Sequence, residues 1–171
     1  MMIVMHPLGP PDTHHISAAV GWLELGNTTE AAAELQRLNP ALSRHPDVLE
    51  VRWLIHAQEH DWDRGLAVAL LLLEQDPDRA SAWLHRAYAL RRAAAGGLQQ
   101  AWDVLLPAFE KFPEESTIPY NLACYACQLG RLAEARQWLQ RALNQGDKQK
   151  IKSMALHDDD LKPLWDEIRE L

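Results

Sequence analysis

The chain has 171 residues, 47% of them hydrophobic and 24% charged, with a formal net charge of −7. Those values exclude wholesale disorder and suit one compact domain or one short solenoid with a sizeable core. The acidic balance argues against a nucleic-acid binder, which needs a basic face. Two cysteines, Cys124 and Cys127, lie three positions apart. They are too few and too close for a disulfide framework, so reduced thiols in a cytoplasmic protein are expected. No apolar run reaches the ~18 residues of a membrane span, so no membrane insertion is expected.

Residues 1–12 read as a flexible leader. Pro7, Pro10 and Pro11 interrupt an apolar start that lacks a basic region, which is not a signal-peptide pattern. From Thr13, His15-x2-Ala18-Ala19-x2-Trp22 places large, small and large residues at helical spacing. Gly26-Asn27 ends that helix, and Ala31-x3-Leu35 lies on its partner. The second pair carries Leu49, Arg52, Trp53 and His56, then Gly65 and Ala69, and closes at Pro77. Asp61 is the expected N-cap of the return helix. Leu66 to Leu73 is apolar on all faces, which predicts a helix sandwiched between neighbours. The third pair reads Trp83-x2-Arg86-Ala87-x2-Leu90, then Ala101-x3-Leu105, then Pro113. Its turn, Ala93 to Gly97, is long, and Pro107 predicts a kink. The fourth pair carries Leu122, Ala123 and Ala126, then Gly130, Ala135, Leu139 and Ala142. After Gly146 one more helix fits residues 147–156. Asp158 to Asp160 and Pro163 then suit the start of a final helix bearing Leu161, Leu164, Trp165, Ile168 and Leu171.

This recurring pattern resembles the tetratricopeptide repeat, a helix-turn-helix unit of about 34 residues, in its bacterial form. The resemblance implies an all-α, right-handed superhelical solenoid with pairs at about 13–46, 47–78, 79–114 and 115–146. Residues 147–171 would cap it, in one domain spanning 13–171. Trp53 stands where such repeats usually place a small residue, so the second pair is expected to be spread or shifted. The family implies a non-enzymatic scaffold that binds a protein or peptide segment along a concave face lined by the first helix of each pair. Carried over, that face is Ile16, Val20, Leu23 and Glu24, then Glu50, Leu54 and Ala57. It continues through Leu84, His85, Tyr88, Arg91 and Arg92 to Tyr120, Asn121, Cys124 and Gln128. Places where chaperone-tail binders carry a lysine/asparagine clamp hold Ile16, Val20 and Val51, which argues against that partner. A dedicated secretion-type chaperone is the alternative job for the same face. Self-association stays open as a further mode.

Three chemistry-bearing motifs compete with this reading. His56-x2-Glu59-His60 has the order of the inverted zinc peptidases. His56 also falls on a packing position, and nothing selects a third ligand, so a zinc hydrolase ranks behind both binding roles. Cys124-x2-Cys127 has redox spacing but lies inside a helix, where small packable residues are the simpler account. His14-His15 reads as a helix-entry pair. Trp22, Trp53, Trp83, Trp102, Trp138 and Trp165 lie on apolar stripes and are assigned to the core. No metal, cofactor or catalytic residue is expected.

Overall fold

A computed structural model describes residues 7–170, and the Leu171 position of the final stripe lies outside them. The described residues are helical with no strand, and no helix among them is long and apolar enough to cross a membrane. The chain divides into two compact units, Met1–Ala95 and Gly96–Leu171, at the long turn of the third repeat.

Unit 1 contains α1 (Asp12–Glu24), α2 (Thr28–Gln36), α3 (Pro46–Gln58), α4 (Trp62–Gln75) and α5 (Ala80–Leu90), with a 3-10 turn at Pro40–Leu42. Side-chain caps start several of them. Asn27 accepts from the Glu30 N–H at 3.1 Å, and Asp61, the expected N-cap, accepts from the Arg64 N–H at 3.2 Å. The small residues let helices approach: Ala19, Ala31, Ala69, Ala82 and Ala87 are fully buried. Ala19 and Ala31 pack with Val51 and Ile55, while Leu49, Trp53, Val68 and Leu72 form the adjoining core. Trp53 fits its crowded place because Gly65 faces it; the indole nitrogen lies 3.8 Å from where a Gly65 side chain would begin.

Two expectations are corrected in this unit. Helix α4 is not enclosed on every side, since Leu70 stays 46% exposed. The end of the leader is tied down rather than loose: Leu8 packs on Leu38, Leu42 and Val48, and Asp12 accepts the Asn39 N–H at 2.8 Å.

Unit 2 contains α6 (Leu98–Leu105), α7 (Ala108–Lys111), α8 (Thr117–Gln128), α9 (Leu132–Gln145), α10 (Lys148–Ala155) and α11 (Trp165–Arg169). The kink expected at Pro107 is a full break between α6 and α7, because proline offers no N–H to continue the ladder. The expected single final helix is also split. Asp158 caps a 3-10 segment, Asp159–Leu164, that contains Pro163, and α11 begins only at Trp165. Leu161, Leu164 and Ile168 are buried all the same, and the Trp165 indole donates to the Ala155 carbonyl at 2.9 Å.

Candidate interaction surface

In unit 1 the expected stripe separates into buried, self-paired and exposed parts. Ile16 and Leu23 pack against the core around Ala19 and Ile55, which leaves Val20 and Glu24 as the exposed members on α1. Val51 is a core residue and faces no groove. Leu84 is half-buried.

Glu50 and His85 meet each other. The His85 Nε2 lies 2.6 Å from Glu50 Oε1, and the Ser81 hydroxyl donates to Oε2 at 2.9 Å. Burial works to raise the Glu50 carboxyl, but the hydrogen bond and charge of His85, helped by Ser81 and Arg79, outweigh it. The carboxyl is therefore held below its usual range. Arg79 extends the network by donating to Asp47 at 2.8 Å and Asp76 at 3.0 Å. The His85 ring stacks flat on Trp53, with centroids 3.6 Å apart and planes 11° apart.

Beyond this wall lies an open basin of about 790 Å³ lined by Trp53, Ala57, His60, Trp62, Tyr88 and Arg92. Tyr88 meets Trp53 and Trp62 edge-on, at 6.1 and 5.7 Å. The Arg92 guanidinium lies 3.7 Å from the Tyr88 ring centre and 5.2 Å from that of Trp62. One of its N–H groups donates to the Tyr88 carbonyl at 3.0 Å. Arg91 stands at the C-cap of α5, half-buried and outside the basin. The structure thus brings together Tyr88, Arg92 and Ala57 from the expected stripe, with Leu54 exposed on α3.

In unit 2 two of the corresponding residues, Tyr120 and Cys124, are covered by the chain itself. Tyr120 and Cys124 are buried, and both point to one oxygen of Asp158: the tyrosine hydroxyl donates at 2.9 Å and the thiol at 3.5 Å. Burial, with the nearby Cys124 and Asp158, pushes the Tyr120 hydroxyl well up. Gln128 donates to the Asp160 carbonyl at 2.9 Å, and Asn121 bonds back to Thr117. The cap occupies this part of the stripe.

The chemical motifs also find their places. Helix α3 ends at Gln58, and His60 adopts a left-handed backbone (φ 57°), so His56 and His60 do not share a helix face. Burial pushes the His56 imidazole down, with Asp61 and Glu59 opposing. The group of ligand atoms that does cluster within 4.8 Å among the described residues is Cys124, Asp158 and Asp160, which the sequence pattern did not single out. Burial raises the Cys127 thiol, the reverse of what thiolate chemistry requires. His15, read as a helix-entry residue, lies 2.7 Å from the buried Glu34.

Besides Trp53, which pattern reading assigns to the core, Trp62 and His60 are the basin residues left outside the binding stripe. A signal for each was present. Trp62 is the one tryptophan off the apolar stripes, and His60 sits at the turn position that holds Gly26 and Gly130 elsewhere.

No protein-family model matches the sequence, and no curated protein matches it. Among solved structures, TTC0263, a thermophilic TPR protein from Thermus thermophilus, superposes with a TM-score of 0.69 at 19% identity. The match covers 94% of this chain and 100% of that one. MamA from Desulfovibrio magneticus gives 0.68 at 18%, covering 96% and 97%. The chain has the tetratricopeptide-repeat fold. At these identities the likeness concerns the fold alone. In a tetratricopeptide array the first helices of successive pairs present side chains that stacking leaves unused. In unit 1, Leu54 of α3 and Tyr88 of α5 remain exposed.

Proposed function

We propose that this protein is a non-enzymatic scaffold that holds a segment of a protein partner on the α3–α5 face of unit 1. The observation that carries the reading is the exposure of Leu54 and Tyr88, at 38% and 37%, beside a half-buried tryptophan and a stacked arginine. Aromatic residues and arginine gathered around exposed apolar surface are the composition in which interfaces concentrate their energy. A basin of this size suits the side chains of an extended or helical segment. The tetratricopeptide fold supports the reading, since its stacked pairs leave such faces free. The same surface would serve a secretion-type chaperone, whose captured protein would be an exported client.

A photo-crosslinking residue at position 88, and separately at 54, tests this in extracts of the native cell. A defined protein adduct is expected at both positions and none at the exposed control position Lys148. Adducts at 148 with none at 54 or 88 would contradict the assignment.

A further inference from the structure

The turns between the helices of three pairs have one hydrogen-bonding pattern. The N–H of Asn27, Asp61 and Arg131 each reaches the carbonyl five residues back, at 2.9 Å in every case. The residue just before each of these is left-handed: Gly26 and Gly130 at φ 76°, and His60 at φ 57°. Glycine accepts that conformation without steric cost, whereas a side chain there is strained. His60 is the one non-glycine residue among the described residues to bear it. Its ring lies 5.6 Å from that of Trp62, on the rim of the basin. A histidine kept where glycine folds more easily points to use of its side chain.

The polar lining has one character. The six residues around the basin include no carboxylate, in a chain with 24 acidic residues. Arg92 makes no ion pair among the described residues. It is held by two aromatic rings and one carbonyl, and the rest of its fork of donors remains. Cation and donors are thus presented beside aromatic surface, with no counter-charge supplied by the lining.

We propose that the basin receives an acidic peptide segment, with a carboxylate taken by Arg92 and His60 and a neighbouring apolar side chain laid on Trp62 and Tyr88. The assignment takes the scaffold reading of this face as its ground and adds the chemistry of the partner. Arg92, already oriented by stacking, would give a charge-assisted pair in a partly desolvated place.

Calorimetry with three blocked hexapeptides tests it: one carrying Phe-Glu-Glu, one Phe-Gln-Gln and one Phe-Lys-Lys. The acidic peptide is expected to bind about tenfold or more tighter than the neutral one, with affinity falling as salt is raised. Arg92→Gln should abolish that preference. His60→Gly should weaken the acidic peptide several-fold while leaving the neutral one unchanged, with both variants still cooperatively folded by thermal melting. Trp62→Leu, which spares the turn, should weaken all three and guards against a folding defect in either variant. Equal binding of acidic and neutral peptides would overturn the anionic specificity and leave a peptide-binding face intact. Failure of all three peptides at millimolar concentration would count against the scaffold reading as well. Preference for a short single-stranded RNA over the acidic peptide would replace the proposal with stacked bases.

Discussion

The two units treat the same repeat face in opposite ways. On α8 of unit 2, Tyr120 and Cys124 are closed over by the residues after α10, and their polar atoms are satisfied by Asp158. On α3 and α5 of unit 1, Leu54 and Tyr88 remain exposed, and the Arg92 guanidinium stacked on Tyr88 has no carboxylate partner among the described residues. A first-helix face can therefore be finished from within, by a capping segment, or left open. Polar satisfaction distinguishes the two: buried hydroxyls with acceptors mark the first, and unmatched donors beside exposed rings mark the second.

The largest expected effect comes from undoing the closure. Leu164 is 1% exposed, and Leu164→Asp should destabilise unit 2 by roughly 3–5 kcal/mol, since it removes core contacts and buries a charge. Urea unfolding followed by tryptophan fluorescence measures it, and an unchanged midpoint would mean that the cap does not dock. Trp165→Ala should act in the same direction through the lost bond to Ala155.

A milder version removes only the polar satisfaction. Tyr120→Phe deprives Asp158 of a donor and should cost about 1–2 kcal/mol. Exchange of backbone amides in residues 156–164 should quicken with it. Identical exchange in the two proteins would separate the tyrosine hydroxyl from cap closure.

In unit 1 the sharper test is pH. Glu50 is held below its ordinary value, so its contribution is fully present above the unfolded carboxylate pKa of ~4.3. That contribution is lost as the pH falls through the lower folded value. Between about pH 6 and about pH 3, wild type should lose more stability than Glu50→Gln. Parallel loss in both would show that the His85 wall is not electrostatically coupled to folding.

The smallest effect is expected at the turn. His60→Gly should raise stability by about 1 kcal/mol as the left-handed strain is relieved. A lower melting temperature instead would mean that the histidine is kept for packing.

The repeat was legible in the sequence because its determinants are local. Ala19, Ala31, Ala87, Ala101 and Ala135, all fully buried, fall at helical spacing from their large neighbours, and Gly26 and Gly130 mark the turns. What escaped depends on distant or conformational detail. The cover over Tyr120 comes from Asp158, 38 positions on, and no periodicity predicts that pairing. Glu50 and His85 share the expected stripe, but 35 positions separate them, and spacing along one helix cannot show that they satisfy each other. Pro163 suited the first turn of a helix, yet the three aspartates before it favoured a capped 3-10 segment. Trp53 was expected to spread its pair, but a glycine on the facing helix made room for it.

The central claim is that unit 1 keeps a partner face at the basin. Nitrogen-15 labelling of the tryptophan indoles, followed by titration with the Phe-Glu-Glu peptide, tests it most directly. The account predicts that the Trp62 and Trp53 resonances shift together and saturate, while those of Trp102, Trp138 and Trp165 in unit 2 stay in place. Shifts confined to the unit 2 indoles, or none at saturating peptide, would contradict it.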